Sequence, residues 1–250
     1  GVRMSYDYKK GKKRISDILI NKLEVKAVNK IPSDNEFTFD NGYYAWVTAI
    51  FIDIRDSSKI FDMDNKEKTS KIIRSFTSEI IEVLRANSLY REIGIRGDCV
   101  YAIYTTPTQE DVYDCYTTTS EINTLLNMLN KLLEAYGFDN IRAGIGMSTS
   151  KELVIKAGRK DAGINSKAWI GGAVTRASNL SSLGDKSPIR RIVLSGTAQH
   201  NIFEHVEKKG LNDQKSWFKQ EPHKDYGPYY HGSVVDGKFN EWVSKGMLDD

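Results

Sequence analysis

Apolar positions along this chain follow two periods, one of strands and one of helices. From position 43 the run YYAWVTAIFIDI is aromatic and β-branched and carries no charge until Asp53, the composition of a strand buried in the middle of a sheet. Ile72, Phe76, Ile80 and Leu84 then recur every four residues on one helical face, and Asn87 with Ser88 supplies a stop. Two further apolar segments, 89–95 and 99–104, flank Gly97, which permits the tight turn of a hairpin, and Asp98 sits at that turn. A second helix is marked by Ile122, Leu125, Leu126, Leu129, Leu132, Leu133 and Tyr136, with Gly137 in the position that commonly ends a helix. Residues 142–147 read as another strand.

The order strand, helix, strand, strand, helix, strand predicts an α+β sandwich with a ferredoxin-like βαββαβ core, extended by a further helix and a strand near 192–194. Residues 1–40 mix charges with a short apolar patch at 18–23 and break at Pro32, Ser33, Asp34 and Asn35, which predicts a leader helix and a linker. Residues 41–250 then form one catalytic-sized domain with a C-terminal extension from about 203. The aromatics of that extension, Trp217, Tyr226, Tyr229 and Trp242, are expected to pack rather than bind.

Charge and cysteine content narrow the partners. Lys plus Arg number 36 against 33 Asp plus Glu, a net +3, which leaves no electrostatic footprint for nucleic acid as the main partner. Cys99 and Cys115 are the two cysteines and have no metal-ligand spacing, so a zinc site or disulfide framework is not expected, as suits a reducing cytoplasm. No stretch approaches the roughly 20 apolar residues of a membrane span.

Chemistry concentrates at two carboxylates. Asp53 ends a buried strand and Asp98 occupies a hairpin turn 45 residues later, and the topology above lays these side by side. Converging carboxylates without His or Cys suit a divalent metal that is shared with a triphosphate. Each Asp alone could equally be a cap or a turn residue. The following Ser57 and Ser58 offer hydroxyls where phosphates could be cradled or where a helix could be capped.

These segments resemble the class III nucleotidyl cyclases. FIDIRDSS is similar to the family signature F-x-D-I-x-G-[FS]-[ST], IRGDCVYAIY to its metal-binding strand pair, and AGIGMSTS with AWIGGAVTRASNL to its G-I-x-x-G strand and W-G-x-x-V-N-x-A-x-R helix. The resemblance spans about 43–202. It implies a head-to-tail homodimer with composite sites and two divalent ions, manganese or magnesium. Asp53, Asp98 and the Ile54 carbonyl would hold the metals on one subunit, with the helix from Gly171 supplied by the other. A nucleoside triphosphate would be closed to a 3′,5′-cyclic monophosphate by in-line attack.

The departures from that pattern bear on substrate. The family's transition-state Asn and Arg align with Thr175 and Asn179, so Arg176, Lys156, Arg159 and Lys160 become the candidate cations. The Lys and Asp with which adenylate cyclases read their base align with Gly94 and Ala168. A site without those polar readers should not prefer ATP. Strand alternation places Arg96 on the face of Gly94 and Asp98, and Phe51 on the face of Asp53. The ensemble looks like the pyrimidine cyclases of bacterial Pycsar anti-phage systems, which implies cyclic UMP or cyclic CMP as an antiviral second messenger. A purine cyclase and an inactive cyclase-like dimerisation module are the competing expectations.

Overall fold

The computed structural model describes residues 5–60 and 65–248. Helix α1 (Tyr8–Ile20) and strand β1 (Glu24–Ala27) lead into the long strand β2 (Asn41–Ile54). A single turn, α2 (Ser57–Ile60), precedes α3 (Lys66–Ala86). The hairpin of β3 (Tyr90–Arg96) and β4 (Cys99–Thr105) is followed by α4 (Gln109–Ala135) and β5 (Ala143–Arg159). Strand β6 (Ile164–Ile170), helix α5 (Gly172–Leu183), strand β7 (Ile192–Ser195) and helix α6 (Gly196–Lys208) come next. The tail adds β8 (Lys219–Glu221), β9 (Tyr229–Gly232) and α7 (Gly237–Ser244).

The sheet runs β3-β4-β2-β5-β7-β9-β8, and its first four strands with α3 and α4 form the expected ferredoxin-like core. On one face the buried side chains of α3 are Ile72, Phe76, Ile80 and Leu84, the four that the sequence period selects, and they pack with Ile50, Ile52 and Tyr104 of the sheet. Full burial of such a side chain stabilises the fold by about 2 kcal/mol. On the other face Ala173 and Ala177 of α5 meet Ala49, Phe51 and Val154. The approach is close enough to require glycine in β5: a Cβ added at Gly146 would lie 2.1 Å from the Ala177 carbonyl oxygen.

Four segments differ from, or extend, their sequence expectation. Helix α4 begins 13 residues before Ile122, the first apolar-periodic position, through a capping box between Thr108 and Asp111. Its Thr-rich first half can be buried because Thr118, Thr119 and Thr124 donate back to carbonyls of the preceding turn. Residues 24–37 are no detached linker: β1 pairs in parallel with the start of β2, and Ile31 and Phe37 join the core beneath α5. The tail widens the sheet through antiparallel pairing of β9 with β7, and the Asn123 side chain on α4 donates to the Val234 carbonyl. Strand β5 runs far past 147 because its second half pairs with β6 as well as β2. Among the described residues, no helix is long and apolar enough to cross a membrane.

Candidate active site

Strand register brings the two predicted carboxylates together. Asp53 of β2 pairs with Cys99 of β4, and Cys99 pairs with Arg96 across the hairpin, so the two-residue turn Gly97-Asp98 lies beside Asp53. Gly97 has φ +63°, a conformation glycine adopts without strain. Burial pushes the Asp53 carboxyl above its usual range, and the charge of Asp98 adds to this, against the opposing Arg55.

Arg55 fixes the geometry from below. It is 6% exposed, and its Nη2 donates to Asp53 Oδ2 at 2.8 Å and to the Ser181 carbonyl at 2.6 Å. Nη1 donates to the Ser182 carbonyl at 2.9 Å. One carboxylate oxygen of Asp53 is thereby tied, through Arg55, to the C-terminal end of α5. The Ile54 side chain is buried in the core with α3, so only its carbonyl is available for the role the family pattern implies. Asp56, where that pattern has Gly, takes φ +52°, and Ser57 and Ser58 open the short α2 beyond it.

The donor set suits a hard divalent ion. Burial, with Asp53 and Asp98, pushes the Cys99 thiol up to about 12, so the neighbouring sulfur stays protonated and oxygen donors remain. Among the described residues no cluster of three or more His, Cys, Asp or Glu could hold a metal. Two mutually repelling carboxylates alone match an ion that keeps water and substrate phosphates as its other ligands.

A second group sits on the same sheet face. Gly94 pairs with Tyr101, and a Cβ added at 94 would fall 2.6 Å from the Tyr101 hydroxyl and ring. The aromatic ring fills the place a side chain at 94 would take. Phe51 stacks on Tyr101 with centroids 5.1 Å apart and planes 13° apart, and the Arg96 guanidinium stands 6.0 Å from the Tyr101 ring centre. The Tyr101 hydroxyl donates to Glu92 at 2.8 Å, and the other Glu92 oxygen accepts from the Trp169 indole at 2.8 Å. Trp169 packs with Val154 on this face, whereas its neighbour Ala168 points to the opposite one by strand alternation.

Helix α5 is seated by a buried acid. Gly171 caps it without a side chain, and in its place Glu152 of β5, fully buried, accepts from the Ala173 amide and from the Ser150 hydroxyl. Burial pushes the Glu152 carboxyl up. Thr175 and Asn179 are exposed on the outward face of α5. Asn179 donates to the Tyr226 hydroxyl at 2.9 Å, and the Arg176 guanidinium lies 5.4 Å from the Tyr226 ring centre. The other candidate cations lie elsewhere. Lys156 is twelve residues along β5 from Gly144, the partner of Asp53, roughly 40 Å at strand spacing, and rests over Phe39. Arg159 pairs with Asp161. Neither can serve the Asp53 pair of its own chain.

Arg55, Glu92, Tyr101, Glu152 and Trp169 belong to this cluster and were not singled out by sequence reasoning, which expected Tyr226 only to pack. Tyr101 was within reach, since a turn at Gly97-Asp98 forces the 94–101 pairing; the others depend on long-range packing.

No protein-family model matches the chain. A curated protein of Treponema porcinum named uridylate cyclase is 46% identical over 247 residues, covering 99% of this chain and 84% of its own. The chain belongs to the uridylate cyclase family. A second family member of that name, from Gulbenkiania mobilis, is 27% identical over 253 residues, covering 96% of this chain and 97% of its own. The solved structure of the guanylyl cyclase Cya2 superposes with a TM-score of 0.62 at 17% identity, over 80% of this chain and 97% of that one. The chain thus shares the fold of class III cyclases, as its sequence motifs implied.

Proposed function

We propose that this protein converts UTP into 3′,5′-cyclic UMP and pyrophosphate, as a homodimer with composite sites. The observation that carries this is the Asp53–Asp98 pair of a uridylate cyclase family chain, beside a base-facing position that Tyr101 keeps closed. Two divalent ions, manganese or magnesium, would supply charge neutralisation on the triphosphate and acidify the ribose 3′-hydroxyl when held by Asp53, Asp98 and the Ile54 carbonyl.

The protein's own groups position the reactants. Arg55 holds Asp53 in one orientation, so the carboxylate pair is prepared before substrate arrives. The Phe51–Tyr101 stack narrows the face where a base would lie, and Glu92 fixes the Tyr101 hydroxyl. A one-ring base fits beside that stack with less displacement than a two-ring base, which supports a pyrimidine. Arg176 is the cation nearest the positions of the missing family Asn and Arg, and Tyr226 steadies it against α5. Ser57 and Ser58, which open α2 after Asp53, would offer their hydroxyls to the phosphates. By its likeness to Pycsar cyclases, the product serves as an intracellular anti-phage messenger.

Incubation of the purified protein with manganese and UTP tests this directly. Stoichiometric cyclic UMP and pyrophosphate are expected, with Asp98→Ala inactive. Failure of the wild type to form any cyclic product across a range of protein concentrations, or activity in Asp98→Ala, would refute it.

A further inference from the structure

Helix α1 buries no large side chain against the rest of the chain. Among the described residues, neither core cluster includes any of its side chains, and its single buried residue, Gly11, is covered by Tyr6 just before the helix. Its far end is tethered where the Asn21 side chain donates to Asp40 at 2.7 Å. Its sequence is nevertheless patterned. Tyr8, Gly11, Ile15, Ile18 and Leu19 fall on one side, an arc of about 100° at helical spacing. The four large side chains of that stripe are 56 to 78% exposed. An isolated helix of 13 residues is marginal in water, so α1 gains stability from whatever covers the stripe.

The charges around the stripe select its occupant. Lys9, Lys10, Lys12, Lys13 and Arg14 share the helix with one carboxylate, Asp17, and Asp7 caps it. Lys10 pairs with Asp7 and Lys13 with Asp17. Among the described residues, Lys9, Lys12 and Arg14 have no carboxylate partner. By helical spacing, Lys12 borders the stripe on one side and Arg14 on the other. Two copies of α1 pressed stripe to stripe would bring cation against cation along the edges, a repulsive arrangement. A nucleic acid would answer the charge but leave the apolar side chains in water. A membrane surface with anionic headgroups answers both, because the stripe enters the acyl boundary while the cations stay level with the phosphates.

We propose that α1 docks the protein onto an anionic phospholipid surface. The helix lies in the plane of that surface, with Ile15, Ile18 and Leu19 inserted and Lys12 and Arg14 on headgroup phosphates. Tyr6 and Tyr8, which join an apolar ring to a polar hydroxyl, suit the boundary between the two layers. The helix rests on the membrane and does not cross it: 13 residues extend about 20 Å, short of the roughly 30 Å of a hydrocarbon core.

Sedimentation of the full chain with vesicles tests the proposal, phosphatidylcholine alone against phosphatidylcholine mixed with phosphatidylglycerol. Binding to the mixed vesicles is expected to be about tenfold tighter or more and to weaken as salt is raised. Lys12→Glu/Arg14→Glu should abolish that preference. Ile15→Ser/Ile18→Ser, which leaves the net charge unchanged, should lower affinity for the mixed vesicles about tenfold. None of these side chains belongs to the core, so both variants should keep the wild-type melting midpoint. Equal binding to the two kinds of vesicle, or full binding by either double variant, would overturn the proposal. Absence of vesicle binding would overturn it too, and a lower light-scattering mass for Ile15→Ser/Ile18→Ser would then assign the stripe to a second copy of the chain.

Discussion

Asp53 and Asp98 repel each other at the end of a strand and in the turn beside it, and this repulsion has measurable consequences. The folded chain holds the Asp53 proton more tightly than the unfolded chain does. Raising pH from below 3.8 through the raised folded value therefore costs stability, because the unfolded state ionises first. In metal-free protein, Asp98→Asn should flatten this loss and raise the midpoint of denaturation near neutral pH while abolishing turnover. A melting series from pH 4 to 7 with both proteins checks it, and identical slopes would contradict it. Gly94 carries a different cost. Gly94→Ala pushes a methyl group against Tyr101 and should destabilise by about 1 to 3 kcal/mol, read from urea denaturation. Tyr101→Ala in the same background should recover most of that loss and admit purine triphosphates in a product assay. Asp53, Asp98 and Gly94 were legible because each lies at a strand end, a turn or a family-pattern position. Glu92 and Trp169 were not, because their contact joins strands that do not pair with each other.

At the scale of elements, α5 is the part whose placement matters most. Its C-terminal carbonyls hold Arg55, and Glu152 substitutes for the missing side-chain cap at its N-terminus. Arg55→Ala would leave Asp53 and two carbonyls without their buried donor and should cost about 3 kcal/mol, with turnover lost as Asp53 swings free. Glu152→Gln keeps an acceptor for the Ala173 amide and should retain most stability, whereas Glu152→Ala should lose about 1 to 2 kcal/mol. Denaturation midpoints of the two variants separate a cap from a packing role; equal losses would refute the cap. The helices α3 and α4 were visible through their four-residue apolar period, and β2 through its uncharged run. The first half of α4 was hidden because buried threonines satisfied by local carbonyls leave no apolar period. Strand β1 was hidden because Glu24, Val25, Lys26 and Ala27 are all exposed, so nothing in their pattern marks a buried side.

Across the whole molecule, the exposed face of α5 and the long β5–β6 arm give the proposed homodimer its rationale. Thr175 and Asn179 face outward, and Lys156 lies about 40 Å along the strand from the Asp53–Asp98 pair of its own chain. Composite sites make a specific expectation: mixing inactive Asp53→Asn with inactive Arg176→Ala chains should restore about a quarter of wild-type turnover, since half the dimers are mixed and each has one intact site. No recovery after mixing would place each site within one chain. The tail that widens the sheet lay outside any motif, because its pairing with β7 depends on packing against α4 rather than on a local pattern.

The most direct test of the central claim is competition among all four nucleotides. Purified protein with manganese and equal ATP, GTP, CTP and UTP is incubated and its cyclic products are identified by mass. Cyclic UMP as the dominant product is the expected result; a dominant cyclic purine nucleotide would contradict the account of the Tyr101-closed base position.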